Sequence, residues 1–231
     1  MDLSHPAYEF KNQRGRPDGV SVGLAAALAK NLVRPLLLVP CDFAELIASL
    51  QARRIDLILS SMTISDPRKL AVDFSDPYVI TGRSLLIPVK SPVRNLDDLK
   101  IPGGRIFVTE GNGHASWLRE KILQATVQVL KNAEACALEV AAGRADVFLS
   151  DQLTICRSGM ANADTTRAIL SPLDEESWGI GIRKGDEDLR LKVNDFLRTF
   201  RENGGLGRLA DRYLPAEKKM FEATGQPFLL R

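Results

Sequence analysis

Residues 55–78 read IDLILSSMTISDPRKLAVDFSDPY and join an apolar run to a polar loop. The run IDLILS is short and rich in branched side chains, which predicts a buried strand. Hydroxyl residues follow it at Ser61 and Thr63, and Arg68 comes five residues after Thr63. Because a guanidinium group pairs with a carboxylate through two parallel hydrogen bonds, this spacing suggests a carboxylate clamp where the strand ends. The alternative is a solvated arginine in a polar loop, which the pattern alone leaves open.

The segments around this stretch alternate between helix and strand patterns. Before it we expect a helix over 19–31 capped by Ser21, a buried strand over 36–40, and a helix over 43–54 capped by Asp42. After it we expect strands at 84–89, 105–110, 127–130, 146–150 and 178–183, and helices at 114–124, 133–144, 186–203 and 205–213. The tail from Pro215 shows no clear period. This alternation predicts parallel sheets covered by helices.

The alternation occurs twice, which predicts an α/β protein with two lobes. Strand-like crossings near 84–89 and 178–183 join the lobes, so the first lobe is discontinuous. We expect residues 1–84 and 182–231 in the first lobe and residues 85–181 in the second. Ligands of such sheets bind beyond the carboxyl ends of the strands, so two facing lobes predict a cleft that captures a small polar molecule by hinge closure.

The composition excludes several classes of protein. Lys and Arg total 31 against 29 Asp and Glu, with both signs mixed, which argues against a nucleic-acid or membrane-surface patch. The chain lacks P-loop, GxSxG and HExxH motifs, and its three cysteines include no CxxC pair. No apolar stretch approaches the roughly 20 residues that span a bilayer. We therefore expect neither a metal nor another cofactor.

The second lobe offers two candidate positions for a ligand. The turn Gly111-Asn112-Gly113 lies between a predicted strand and helix, where backbone N–H groups can approach an anion, although it could also be a plain turn. Asp151 ends the predicted strand at 146–150, where its carboxylate could hold an ammonium group or cap the next helix. Phe43 could line a pocket or belong to the core, and His5 is equally ambiguous.

Several stretches resemble the bacterial extracellular solute-binding proteins of family 3, the polar amino acid receptors of ABC transporters. The resemblance runs through HPAYEFKNQRG, residues 43–78, GGRIFVTEGNGHASWL, AAGRADVFLSD and WGIGIRKGDEDLRLKVNDFLRTFRENGGLGRLADRYLP, and so covers nearly the whole chain. It implies a two-lobed type II periplasmic binding protein fold with parallel-rich sheets and two hinge strands. It also implies a monomer that delivers a small polar amino acid to a membrane permease, with no catalysis and no nucleic acid.

The resemblance also implies a role for each candidate residue in the first lobe. Arg68 matches the residue that holds the α-carboxylate, while Thr63 and the backbone at Ser61 bind the amino acid head group. Phe43 packs on the ligand side chain. His5 takes the place of its usual aromatic partner.

In the second lobe the resemblance assigns the other end of the ligand. Asp151 matches the residue that takes the α-ammonium group, and Asn112 and Gly113 match the turn that closes over the carboxylate. These assignments place charges of opposite sign on the two ends of a zwitterion.

The chain departs from the family at two places. Gly19-Val20-Ser21-Val22-Gly23 replaces a pattern that normally carries two acidic residues. The first strand of the family would precede Asp2, so we expect that strand and the export signal of a periplasmic protein to be absent from this chain.

Two other functions share this fold. Cyclohexadienyl dehydratases carry a Glu three residues after the Asp that matches Asp151, and this chain has Thr154 there. Extracellular domains of receptor kinases form the third alternative.

Overall fold

Alternating helices and strands fill most of the chain. The computed structural model describes residues 1–95, 97–99, 103–110, 113–122 and 126–230. The helices of these ranges are α1 (Val20–Asn31), α2 (Leu46–Gln51), α3 (Asp66–Ala71), α4 (His114–Lys121), α5 (Ala133–Ala141), α6 (Gln152–Ala161), α7 (Glu187–Glu202), α8 (Gly205–Tyr213) and α9 (Pro215–Ala223). Short 3-10 turns form at Phe43–Glu45 and Asp97–Leu99.

The longest strands lie between residues 83 and 151, and those before and after them are shorter. They are β1 (Ser4–His5), β2 (Glu9–Lys11), β3 (Pro17–Asp18), β4 (Leu57–Ile58), β5 (Val72–Phe74), β6 (Val79–Thr81), β7 (Arg83–Pro88), β8 (Arg105–Thr109), β9 (Thr126–Leu130), β10 (Val147–Asp151), β11 (Thr166–Ile169), β12 (Glu176–Trp178) and β13 (Gly181–Arg183).

Backbone contacts divide the chain into two compact units. Unit 1 contains Met1–Ile80, Glu176–Lys218 and Phe228–Arg231, and unit 2 contains Thr81–Glu175 and Lys219–Pro227. Both units mix helices with strands, so the predicted α/β class is confirmed.

Unit 2 is built on a mixed sheet of five strands in the order β11-β7-β10-β8-β9. Strand β8 runs parallel to β9 and β10, whereas β7 runs antiparallel to β10 and β11. Its strands contribute apolar side chains to a core that includes Leu85, Ile106, Val147 and Leu149. The strands predicted at 84–89, 105–110, 127–130 and 146–150 are thereby confirmed. Strands β7, β8 and β10 are apolar runs buried in the sheet, whereas β9 lies at its edge and is largely exposed.

Unit 1 contains smaller antiparallel ladders. Strand β13 lies between β4 and β5 and is antiparallel to both. Strands β1, β2 and β3 form a second antiparallel sheet, and β6 pairs with β12. Leu46, Leu50, Ile58, Met62 and Val72 form a core cluster that joins α2 to β4 and β5. The parallel sheet predicted for the first half of the chain is absent from these described strands.

The strand predicted over 36–40 is wrong, and its failure explains the missing parallel sheet. This segment is coil, and Leu37 is 83% exposed. Pro35 and Pro40 bound the run and lack N–H groups, which limits its ladder bonding. Its end meets the first residue: the Met1 amino group donates to Val39 O at 3.0 Å, and Cys41 N donates to Met1 O at 3.1 Å.

An open cavity of about 640 Å³ lies beside this segment in unit 1. Apolar side chains of α1, residues 36–39 and residues 55–59 line it. The apolar run over 36–40 therefore contributes to a groove rather than to a sheet.

The expected cap of α1 is also wrong. The helix begins at Val20, and no side chain caps it. Instead, Val20 N donates to Ala7 O at 2.9 Å and Ser21 N donates to Tyr8 O at 2.8 Å. Gly19 allows this close approach, because a Cβ there would lie 2.4 Å from Tyr8 O and its φ is +122°. Backbone carbonyls of the chain between β1 and β2 thus satisfy the first two N–H groups of α1, and no side-chain cap is formed.

Two other predicted elements differ in extent. The helix expected over 43–54 is a 3-10 turn followed by α2, and Asp42 precedes it without a side-chain cap bond. The strand expected over 178–183 divides into β12 and β13, since Ile180 N donates to Ser75 Oγ at 2.9 Å.

The C-terminal region is more helical than the sequence indicated. Helices α7 and α8 confirm the predictions for 186–203 and 205–213. Helix α9 was not predicted, but Pro215 stands at its first position, where a missing N–H group costs nothing. Phe221 of α9 is fully buried.

Candidate functional site

The chain that follows β4 is held in place by backbone bonds within unit 1. Thr63 forms a bridge with Trp178, and Ile64 N donates to Ser177 O at 2.8 Å. Ser61 has a φ of +45°, which is uncommon for a residue other than glycine and is often found at functional sites. Residues 60–63, which follow β4, therefore form a turn that is strained at Ser61 and fixed by backbone bonds.

Arg68 is directed at this turn from α3. Its Nη1 donates to Thr63 O at 2.9 Å, and its guanidinium group lies 5.3 Å from the ring centre of Phe43. Burial lowers the pKa of Arg68, and the charge of Glu176 acts in the opposite direction. Only one of the five guanidinium N–H groups is needed for the Thr63 bond, so the fork keeps the capacity to bind an anion.

An aromatic cluster adjoins this turn. The rings of His5, Tyr8 and Trp178 meet edge to face, with centroids 4.9 to 5.7 Å apart. Tyr8 and Trp178 are buried, whereas His5 is half-buried. Since Trp178 also bridges Thr63, the cluster links His5 to the turn that receives Arg68.

In unit 2, Asp151 ends β10 and caps α6. Its Oδ1 accepts from Thr154 N at 3.0 Å, and its Oδ2 accepts from the Thr154 hydroxyl at 2.6 Å. The cap role that the sequence left open is therefore observed. A ligand role for Asp151 stays a prediction.

Charges around Asp151 are arranged so that its neighbours carry little net positive charge. Burial lowers the pKa of His114 to about 4, against an opposing effect of Asp151, so His114 is neutral at pH 7. Arg83 forms an ion pair with Asp174 and lies 4.8 Å from the ring centre of Trp117. The carboxylate of Asp151 is thus not neutralised by His114.

The turn before His114 is only partly described. Gly113 is the N-cap residue of α4 with a φ of +77°, and a Cβ there would meet no atom within 4 Å. Asn112 lies outside the described residues. The space at Gly113 fits a turn that a ligand can approach closely.

The structure brings together the candidates of unit 1 more fully than the sequence indicated. Arg68 contacts both Thr63 and Phe43, and His5 is linked to Thr63 through Trp178. Trp178 and Glu176 were not predicted as site residues from the sequence. The strand pattern at 178–183 marked the segment of Trp178, but its bridge to Thr63 spans 115 residues and leaves no local pattern.

The described ranges contain neither a cluster of metal-ligating side chains nor a helix suited to cross a membrane. No group of three or more His, Cys, Asp or Glu side chains there could hold a metal ion. In the same part of the chain, every helix is too short or too polar to span a membrane.

Comparison with known sequences identifies a family and several relatives. Residues 1–216 match the family described as bacterial extracellular solute-binding proteins, family 3. The L-cystine-binding protein TcyJ of Escherichia coli is 30% identical over 219 residues, covering 94% of this chain and 82% of that protein. The L-arginine-binding protein of Pseudomonas aeruginosa is 28% identical over 225 residues, covering 92% and 85%.

Solved structures give the same result. An ancestral cationic amino acid solute-binding protein superposes with a TM-score of 0.79 at 29% identity, covering 92% of each chain. A binding component of an ABC transporter from Wolinella succinogenes, complexed with lysine, superposes with a TM-score of 0.78 at 30% identity, covering 90% of this chain and 92% of that one. The predicted type II periplasmic binding protein fold is confirmed by these neighbours.

Proposed function

Because the chain belongs to the bacterial extracellular solute-binding proteins of family 3, we propose that it is the substrate-binding protein of an ABC transporter for a polar amino acid. The observation that carries this proposal is Arg68, half-buried, bonded to Thr63 O and stacked on Phe43. A guanidinium group fixed in this way is preorganised for the α-carboxylate of an amino acid.

Thr63 and Ser61 complete the carboxylate end of the proposed site. Their turn is held by bonds to the segment around Trp178, so the Thr63 hydroxyl and the backbone at Ser61 are fixed relative to Arg68. Phe43 and His5 contact the ligand side chain in this proposal. An aromatic ring and an imidazole suit a side chain that has both an apolar stem and a polar end.

Asp151 supplies the opposite charge in this proposal, and Asn112 and Gly113 are assigned to the carboxylate of the ligand. The neutral state of His114 and the Arg83–Asp174 ion pair leave the Asp151 carboxylate to attract an ammonium group. Thr154 orients that carboxylate through both of its donors. Asp151 therefore acts as both helix cap and ligand residue.

The relatives support a proposal for the cellular role. The E. coli relative that binds lysine, arginine and ornithine is a periplasmic protein, and a Bacillus subtilis relative is the glutamine-binding protein of an ABC transporter. We infer a periplasmic location, a membrane permease as partner, and a monomer.

Catalysis has less support. An ancestral structural neighbour is described as an amino acid-binding protein and a precursor of cyclohexadienyl dehydratase. A dehydratase needs a general acid, and at the matching position the Thr154 hydroxyl donates to Asp151 instead. We therefore propose binding without turnover.

The test is isothermal titration calorimetry of the ligand-free protein against polar amino acids, with prephenate as the enzyme probe. At least one amino acid should bind, and Arg68→Ala should weaken it at least roughly 30-fold, as expected for a charge-assisted pair in a desolvated site. Lys69→Ala is the matched control, because Lys69 is the exposed neighbour that pairs with Asp66. Unchanged affinity in Arg68→Ala, or turnover of prephenate, would overturn the proposal.

A further inference from the structure

Unit 1 buries a carboxyl group that has no part in the binding site proposed above. Glu9 begins β2, and only 1% of its surface is exposed. The two residues before it, Ala7 and Tyr8, accept the first N–H groups of α1 through their carbonyls. The backbone before Glu9 is therefore tied to the start of α1, and its side chain is enclosed.

Three buried hydroxyl groups surround this carboxyl group. Ser21 comes from the first turn of α1, Ser61 from the strained turn after β4, and Tyr78 from the segment after β5. The Ser21 and Ser61 hydroxyls lie close enough to Glu9 to lower its pKa. Neither hydroxyl, however, forms a hydrogen bond of good geometry with it. Glu9 Oε2 and all three hydroxyl oxygens are buried without a bond of good geometry within the described residues.

The electrostatics favour an uncharged carboxyl group. Burial raises the pKa of Glu9 from 4.5 to about 7, and the charge of Asp2 adds to this effect. Ser21, Ser61 and the amino group of Met1 act in the opposite direction. Glu9 therefore titrates near neutral pH.

We propose that Glu9 is a positioning residue for ligand binding, which as the uncharged acid ties the first turn of α1 to Ser61 and so holds the strand end of Ser61 and Thr63 in its binding conformation. This inference rests on the proposed function. It predicts that ligand affinity depends on the protonation of Glu9, although Glu9 does not contact the ligand.

The number of donors gives the physical reason. A carboxylic acid donates one hydrogen bond and accepts others, whereas a carboxylate only accepts. The carboxyl group of Glu9 and the three hydroxyls are buried together, and each one left unpaired costs about 1–3 kcal/mol. The uncharged acid supplies an additional donor with which these groups can be paired. Ionised Glu9 would also place a negative charge beside Ser61, which disfavours a carboxylate at the nearby Arg68. Affinity should therefore fall as the pH rises.

The test measures the dissociation constant of the best-binding amino acid, histidine excluded, between pH 5.5 and 8 by calorimetry. If only the acid form binds, a group that titrates near pH 7 should weaken binding about tenfold between pH 6 and 8. Glu9→Gln keeps a neutral donor and acceptor, so its affinity should stay near the low-pH value of the unaltered protein. Any pH dependence that arises from His5 persists in Glu9→Gln, so this variant distinguishes it from the effect of Glu9.

Two further variants sharpen the result. Glu202→Gln, an exposed glutamate at the end of α7, should keep the original pH profile. Ser21→Ala removes a hydroxyl that lowers the pKa of Glu9, so its profile should move to higher pH. The same pH dependence in Glu9→Gln as in the unaltered protein, or a flat profile in both, overturns the role of Glu9. Absence of amino acid binding at every pH instead overturns the proposed function together with this inference.

Discussion

Asp151 has two roles, helix cap and proposed ligand residue, that experiment can separate. Asparagine caps helices as well as aspartate, so Asp151→Asn should retain the bond from Thr154 N and change the free energy of unfolding by less than about 0.5 kcal/mol. It removes the charge, so amino acid affinity should fall at least roughly tenfold. Urea unfolding and calorimetry measure the two effects.

Asp151→Ala provides the matched comparison. It removes both cap and charge, so it should cost about 1 kcal/mol of stability in addition to the lost affinity. An Asp151→Asn protein that binds amino acids as tightly as the unaltered chain would show that Asp151 is only a helix cap.

The residue scale also shows what a sequence can and cannot reveal about a site. Thr63 and Arg68 are separated by five residues, so their relation was visible in the stretch around β4. Trp178 and Glu9 reach the same turn from distant segments, through a bridge and a buried cluster. The local sequence carries no pattern for such long-range contacts. The roles of Trp178 and Glu9 could therefore be inferred only from the folded structure.

At the scale of elements, strands were predicted correctly where an apolar run also has neighbouring strands to pair with. Strands β7, β8 and β10 of unit 2 are apolar runs that pair with neighbours in the five-stranded sheet. The run over 36–40 is equally apolar, yet it forms no strand, because a strand needs backbone partners that the run itself does not specify. Helix α9 shows the converse. Proline is usually taken as the end of a helix, but Pro215 stands at the first position of α9, where it is tolerated.

At the scale of the whole molecule, two buried groups should oppose each other in acid. The pKa of Glu9 is raised from 4.5 to about 7, so folded unit 1 holds an extra proton and its free energy of unfolding falls as the pH rises through this window. The pKa of His114 is lowered from 6.5 to about 4, so the unfolded chain holds the extra proton and stability rises with pH. Each effect has a limit of about 1.4 kcal/mol per pH unit.

Unfolding of the unaltered protein, Glu9→Gln and His114→Gln between pH 5 and 6.5 checks this balance. Acidification should destabilise Glu9→Gln, in which only His114 remains, and stabilise His114→Gln, in which only Glu9 remains. The unaltered protein should change less than either variant. Parallel pH profiles for all three proteins would show that these side chains do not titrate as their burial requires.

The central claim is that Arg68 holds the α-carboxylate of an amino acid, and it is tested most directly by changing the ligand and the protein together. Calorimetry compares the best-binding amino acid with its α-carboxamide on the unaltered protein and on Arg68→Ala. The unaltered protein should bind the carboxamide at least roughly 30-fold more weakly, whereas Arg68→Ala should scarcely distinguish the two ligands. An equal loss on both proteins would mean that the carboxylate is bound elsewhere.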